Sequence, residues 1–144
     1  GCLGAVCARE GVVDRAVFVE SAAELGEVAD CSVRGRAAWV RAGEGEAPRE
    51  FALLSGTELS ADGQVLARLA APGDVAVSMA AGEAGAEAFE ITTLLAEAGA
   101  VEVRLPARPS RLQAGDGAEV PIDYADGLLR LTLPAGESTV RGEF

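Results

Sequence analysis

With no histidine in these 144 residues, the groups left to do chemistry are carboxylates, guanidinium groups, hydroxyls, one tyrosine and three thiols. Without an imidazole, Ser-His and Cys-His nucleophile pairs are excluded. Two carboxylates flanking a glycosidic bond would suffice for hydrolysis. The strand-associated candidates are Asp14, Asp30, Asp123 and Asp126. With 23 acidic residues, some carboxylates must lie near one another by chance, so solvated or turn-forming roles are expected for all four. Arg34 and Arg36 sit two apart and would project from one strand face, where they could clasp an anion. In so acidic a chain, pairing with a neighbouring Glu or Asp is the expected outcome. Tyr124 precedes an Asp-Gly turn and is expected to pack with its hydroxyl in water rather than act as an acid or base.

Cys2, Cys7 and Cys31 cannot all pair within one molecule, and a zinc site would need all three plus a carboxylate. Cys31 reads as a small buried hydrophobe. Cys2 and Cys7 are five apart and face opposite sides of an extended strand. Trp39 falls on the same apolar face as Cys31 and Val33 and is expected in the core, with Phe18, Phe51 and Phe89. One Trp, one Tyr and four Phe are too few for the row of rings a sugar-stacking platform presents. The Asp-Gly pairs lack the carboxylate spacing of a calcium loop and read as turns. No catalytic residue, metal ligand or cofactor is assigned, and no ligand-binding residue emerges.

The elements behind these residues read as strands. Ala100–Pro106 and Leu129–Leu133 alternate apolar and polar residues strictly, as strands with one wet and one buried face do. Val101, Val103 and Leu105 are expected inward with Leu129, Leu131 and Leu133, while Glu102, Arg104, Arg130 and Thr132 face outward. Turns at Ala114–Gly117, Ala125–Gly127 and Pro134–Glu137 would make the tail an antiparallel meander, ending in a short strand from Ser138 to Arg141.

Upstream, Gly1–Ala8 reads as an edge or lead-in strand and Gly11–Glu20 as a β-branched strand. Ser21–Leu25 is either one capped helical turn or an irregular connection. Val28–Ala42 is the longest strand signal, with Ala29, Cys31, Val33, Gly35, Ala37 and Trp39 on one face, and a bend at Gly35 or a strand shared by two sheets. Glu50–Ser55 follows the polar tip at 42–48, and Gly56–Ser60 continues it or kinks away. Gln64–Leu69 and Val75–Met79 flank a turn at Pro72–Asp74. Residues 80–87 read as a loop. Phe89–Leu95 is a strand with a short helix over Thr93–Ala98 as its rival.

The expectation is one all-β domain over residues 1–144, an antiparallel β-sandwich of about ten short strands with turn signals about every 8–12 residues. A chain of this length suits one domain that needs no staples. Its longest apolar runs fall far short of the roughly 20 residues of a membrane span. The formal charge of −11, with every basic residue an Arg, argues against nucleic acid and anionic membranes as partners. The start at Gly1 leads to the expectation that the chain belongs to a longer protein or follows a cleavage.

Val103–Pro109, the turn at Asp116-Gly117 and Tyr124–Gly136 resemble the end of the C-terminal β-sandwich that follows the catalytic domain in many bacterial carbohydrate-active enzymes. Trp39–Arg41, Phe51–Thr57 and Ala61–Gly63 are similar to the sheet domain behind the α/α-toroid of heparinase II/III-like polysaccharide lyases. The resemblance runs from about Val12 to the end. It implies a non-catalytic accessory module of a lyase or glycoside hydrolase, partnered by the catalytic domain of the same longer chain, in contact with polysaccharide, and extracellular or periplasmic. The family's catalytic residues would lie in the toroid, so none is carried over. The alternative is a free-standing extracellular adhesion or assembly module acting through sheet edges.

Overall fold

Short alternating stretches separated by turn residues form antiparallel strands along nearly the whole chain. The computed structural model describes residues 1–20, 25–82 and 85–144. Among them are thirteen strands: β1 (Cys2–Arg9), β2 (Val12–Val19), β3 (Leu25–Val28), β4 (Cys31–Arg34), β5 (Ala37–Gly43), β6 (Pro48–Ala61), β7 (Gln64–Gly82), β8 (Gly85–Leu95), β9 (Gly99–Arg104), β10 (Arg111–Ala114), β11 (Asp123–Ala125), β12 (Leu128–Leu133) and β13 (Gly136–Glu143). The all-β class is as expected. The strands are more numerous than the ten or so expected, and they join in one continuous hydrogen-bonded sheet.

The continuity comes from β6 and β7, of 14 and 19 residues, each of which serves two arms of the sheet. Glu50–Leu53 of β6 pairs with Val75–Ser78 of β7 in the first arm, ordered β1-β2-β5-β6-β7-β8-β13-β10. Glu58–Ala61 pairs with Gln64–Arg68 in the second arm, which continues through β4 and β3 on one side and β9, β12 and β11 on the other. Between the halves Gly56 lies opposite Gly73, with a register shift on either side of that pair. A Cβ on Gly56 would fall 2.4 Å from the Arg34 carbonyl oxygen and 2.8 Å from Gly35 Cα. The bend therefore requires glycine for close backbone approach. Asp74 Oδ1 accepts the Ser55 amide at 2.7 Å and ties the two long strands at this corner. Pro72–Asp74 is thus a bend inside one strand, not a turn between two.

Both arms contribute to a single core. Phe51, Leu53, Ile91 and Val140 come from the first arm, and Leu59, Leu66, Val103 and Leu129 from the second. In the tail the expected phase holds: Val101, Val103, Leu105, Leu129, Leu131 and Leu133 are all buried. Leu131 lies opposite Val101, and Leu129 opposite Val103. The tail is not a meander, though. Strands β9, β12 and β11 lie in the second arm, while β10 and β13 cross back to the first. The last strand, β13, is also longer than expected.

Val28–Ala42 is broken twice. Ala29 and Asp30 take φ of 54° and 61° and form the hairpin turn between β3 and β4. The chain then bends at Gly35-Arg36, and the alternation restarts in opposite phase. Cys31 and Val33 are buried before the bend, Ala38 and Val40 after it. Trp39 consequently points away from the core and is only half-buried. Phe18 is likewise outward, between buried Val17 and Val19, whereas Phe51 and Phe89 occupy the core as expected.

The remaining expectations fare unevenly. Strand β1 pairs along its length with β2 and forms one end of the sheet order. Strands β7 and β8 extend as a hairpin to Gly82 and from Gly85, into what reads as a loop. Phe89–Leu95 is strand, not helix. The reading of Ser21–Leu25 falls outside the described residues except for Leu25, which opens β3.

One core group is mismatched. Thr93 is buried, and its hydroxyl has no hydrogen-bond partner among the described residues. A buried unpaired hydroxyl costs about 1–3 kcal/mol. Thr93→Val keeps the shape, so it is expected to stabilise the domain by about 1 kcal/mol. A denaturant midpoint that rises with unchanged m-value checks this.

Candidate functional site

The four candidate aspartates are placed apart and engaged in structure. Asp14 on β2 holds Arg41 through two hydrogen bonds of 2.8 and 3.3 Å, which raise the Arg41 pKa above its ordinary value. Asp30 and Asp126 are turn residues with positive φ, and Asp123 begins β11 exposed. Arg34 and Arg36 are exposed on either side of the bend at Gly35. Among the described residues they form neither a clasp nor an ion pair. Tyr124 packs against the core, and its hydroxyl donates to the Leu105 carbonyl at 3.0 Å, not to water. Cys31 is buried, which pushes its thiol pKa up. Cys2 and Cys7 are exposed, opposite Val19 and Asp14 respectively, and so on opposite faces of β1. No cluster of three or more metal-ligating side chains occurs among the described residues.

The feature that the sequence concealed is the outer face of the first arm. Cross-strand register divides it into three bands. Nearest the bend, Leu3, Phe18, Ala37 and Leu54 are neighbours in turn, and Leu94 follows beyond Asp74. Leu3 is 70% exposed, Phe18 55%, Leu54 48% and Leu94 53%. Leu54, Asp74 and Leu94 line a shallow groove of about 290 Å³.

The middle band runs Ala16, Trp39, Ala52, Ala76, Thr92 and Thr139. Small residues leave Trp39 standing above its neighbours, with the Arg41 guanidinium 5.0 Å from its ring centroid. The third band is ionic: Arg41 bridges Asp14 and Glu50, and Arg141 pairs with Glu90 at 2.8 Å. A sheet face in water ordinarily carries polar side chains on alternate positions. The runs Leu3, Phe18, Ala37, Leu54 and Ala16, Trp39, Ala52, Ala76 do not, and polar side chains return only at Asp74, Thr92, Glu137 and Thr139. Because Trp39 is not in the core, Trp39→Ala is expected to cost only about 1–2 kcal/mol, well under the roughly 3–5 for a buried aromatic. Urea denaturation checks this.

The second feature lies at the open end of the folded sheet, opposite the bend. Arg15 reaches from β2 to the tip of the second arm, donating to both Asp62 carboxylate oxygens at 2.9 and 3.0 Å and to the Ala29 carbonyl at 3.2 Å. Its side chain is 11% exposed. The hydrogen bonds to Asp62 raise its pKa, outweighing the opposite effect of burial. Asp62 can present its carboxylate there because Asp62-Gly63, with φ of 52° and 79°, makes a tight hairpin turn.

Also at this end, a cavity of about 540 Å³ opens between the arm tips. Phe51, Leu66, Met79 and Leu105 form its apolar wall, and Arg49 and Arg104 stand around it. Arg104 faces away from the core as expected, yet its guanidinium is pinned by the carbonyls of Val65 at 2.6 Å and Asp126 at 3.4 Å.

No family model matches the chain, and no curated protein matches it.

Proposed function

We propose that this chain is a non-catalytic accessory module of a polysaccharide-processing enzyme, a lyase or glycoside hydrolase, working outside the cytoplasm. It packs the outer face of its first arm against the catalytic domain of the same longer chain and helps shape that domain's cleft. The observation carrying this reading is the line of exposed Leu3, Phe18, Leu54 and Leu94 beside a band of small residues. Contiguous apolar surface of this kind marks a protein–protein contact. Its small side chains let another surface approach closely, and the flanking ion-paired band supplies a polar rim. The similarity of Val103–Pro109 and Tyr124–Gly136 to C-terminal modules of carbohydrate-active enzymes supports the choice of partner.

The isolated chain is expected to show no turnover on a panel of uronic-acid and neutral polysaccharides. Turnover that survives purification and disappears on replacing one carboxylate would overturn the reading.

A second reading is favoured by one observation. Strand β1 is an eight-residue sheet edge, almost entirely exposed on both faces and apolar from Cys2 to Ala8. It lacks the Lys, Pro or bulge that usually protects such an edge. A free-standing adhesion or assembly module would use it to add a strand from a partner. Size-exclusion chromatography with light scattering separates the two readings. Assembly through β1 gives a concentration-dependent oligomer that Val6→Pro abolishes, whereas the accessory module gives a monomer.

A further inference from the structure

We infer that the cavity at the open end of the sheet binds an organic carboxylate with an apolar body. This goes beyond the docking role, because the cavity and the outer face of the first arm are separate surfaces.

Three observations converge on that ligand. The volume of about 540 Å³ falls within the roughly 300–1,000 Å³ range of small-molecule sites. Its wall is dominated by core side chains, Phe51, Leu66, Met79 and Leu105, which offer an apolar body the same surroundings as the protein interior. Its lining carries two cations, Arg49 and Arg104, against one carboxylate, Glu46, in a chain of net charge −11. Arg15, Arg41, Arg68, Arg111 and Arg141 are each paired with a carboxylate of this acidic chain. Arg104 is held by two backbone carbonyls instead, and makes no ion pair among the described residues.

Carbonyl contacts fix the direction of a guanidinium without setting an opposite charge beside it. Arg49 adds a second cation, only loosely engaged by Glu46 at 3.7 Å. A planar guanidinium pre-oriented in this way suits a carboxylate, which it can engage with two parallel hydrogen bonds. A polyanion such as a nucleotide would find too few cations and an apolar wall. A neutral sugar would find too few hydrogen-bonding groups. The Tyr124 hydroxyl is already committed to the Leu105 carbonyl, which holds the rim between β9 and β11.

The test uses the 144-residue chain with decanoate as the carboxylate probe and decanol as its uncharged counterpart, followed by calorimetry and by NMR of the Met79 methyl group. Saturable binding of decanoate that shifts the Met79 signal is expected, with decanol at least about tenfold weaker. Arg104→Gln is expected to weaken decanoate binding about tenfold, the loss of one charge-assisted contact. Arg104→Lys, which keeps the charge but loses the planar fork, should fall between Arg104→Gln and the parent. Ala86→Trp places a ring in the cavity and should abolish binding whether or not the Arg104 variants fold. Absence of saturable binding, equal affinity for decanol, or undiminished binding in either Arg104→Gln or Ala86→Trp would overturn the assignment.

Discussion

Leu131→Asp is expected to unfold or aggregate this domain, while Arg130→Asp, one residue away, is expected to cost only about 1 kcal/mol. Leu131 is 3% exposed and lies opposite Val101, inside a core drawn from both arms. Placing a carboxylate there buries a charge with no partner, at several kcal/mol against a total stability of about 5–15. Arg130 lies between Glu102 and Asp123 on the other face of the same strand, in contact with water, so a carboxylate there meets like charge on both sides but stays solvated. Circular dichroism and denaturant melts of the two proteins separate the outcomes. Equal tolerance would mean that β12 does not bury its leucines and that the register of β9 and β12 is wrong.

A methyl group at the bend is the second large effect expected. Gly56→Ala would set Cβ against the Arg34 carbonyl and Gly35 Cα, and backbone atoms cannot swing aside as a flexible side chain can. Overpacking typically costs about 1–3 kcal/mol. Here the clash falls where β6 changes arms, so the upper end of that range or beyond is expected. Gly99→Ala is the matched control. The added Cβ would sit 3.5 Å from that of Ala70, an ordinary contact at ordinary φ, and should change stability by no more than about 0.5 kcal/mol. Similar midpoints for the two alanine variants would show that the two arms are not joined through a close approach at Gly56.

These two predictions differ in how far the sequence foretells them. The burial of Leu131 is legible because Leu129–Leu133 and Ala100–Pro106 alternate without exception, and a slip of one residue would put every leucine in water. The bend at Gly56 is half legible, as a strand that continues or kinks. Pro72–Asp74, its counterpart, has the composition of a turn. Nothing local distinguishes a turn from a bend that stays hydrogen-bonded to two different neighbours. Ala29-Asp30 is hidden for a related reason, since a hairpin turn with positive φ ordinarily advertises itself with glycine or asparagine.

Phe18 and Trp39 mislead in another way. Val17, Phe18 and Val19 are all apolar, as are Ala37 to Val40, so no polar residue marks which side is wet. The same absence is what motivates the proposed docking role of the outer face. The contact of Arg15 with Asp62 spans 47 positions, and the cavity beside Arg104 is built from five separate strands and turns. Neither leaves a short-range pattern to read.

The central claim is that the outer face of the first arm is covered by another domain of the same polypeptide. Hydroxyl-radical footprinting tests it directly, by comparing the 144-residue chain with the product of the complete reading frame that encodes it. The account predicts that Phe18, Leu54 and Leu94 label readily in the isolated chain and at least about fivefold more slowly in the complete product, as burial of core interface residues requires. Arg130, exposed on β12 in the second arm, should label equally in both. Equal labelling of Phe18, Leu54 and Leu94 in the two proteins would contradict the docking role and leave the apolar face without a partner in its own chain.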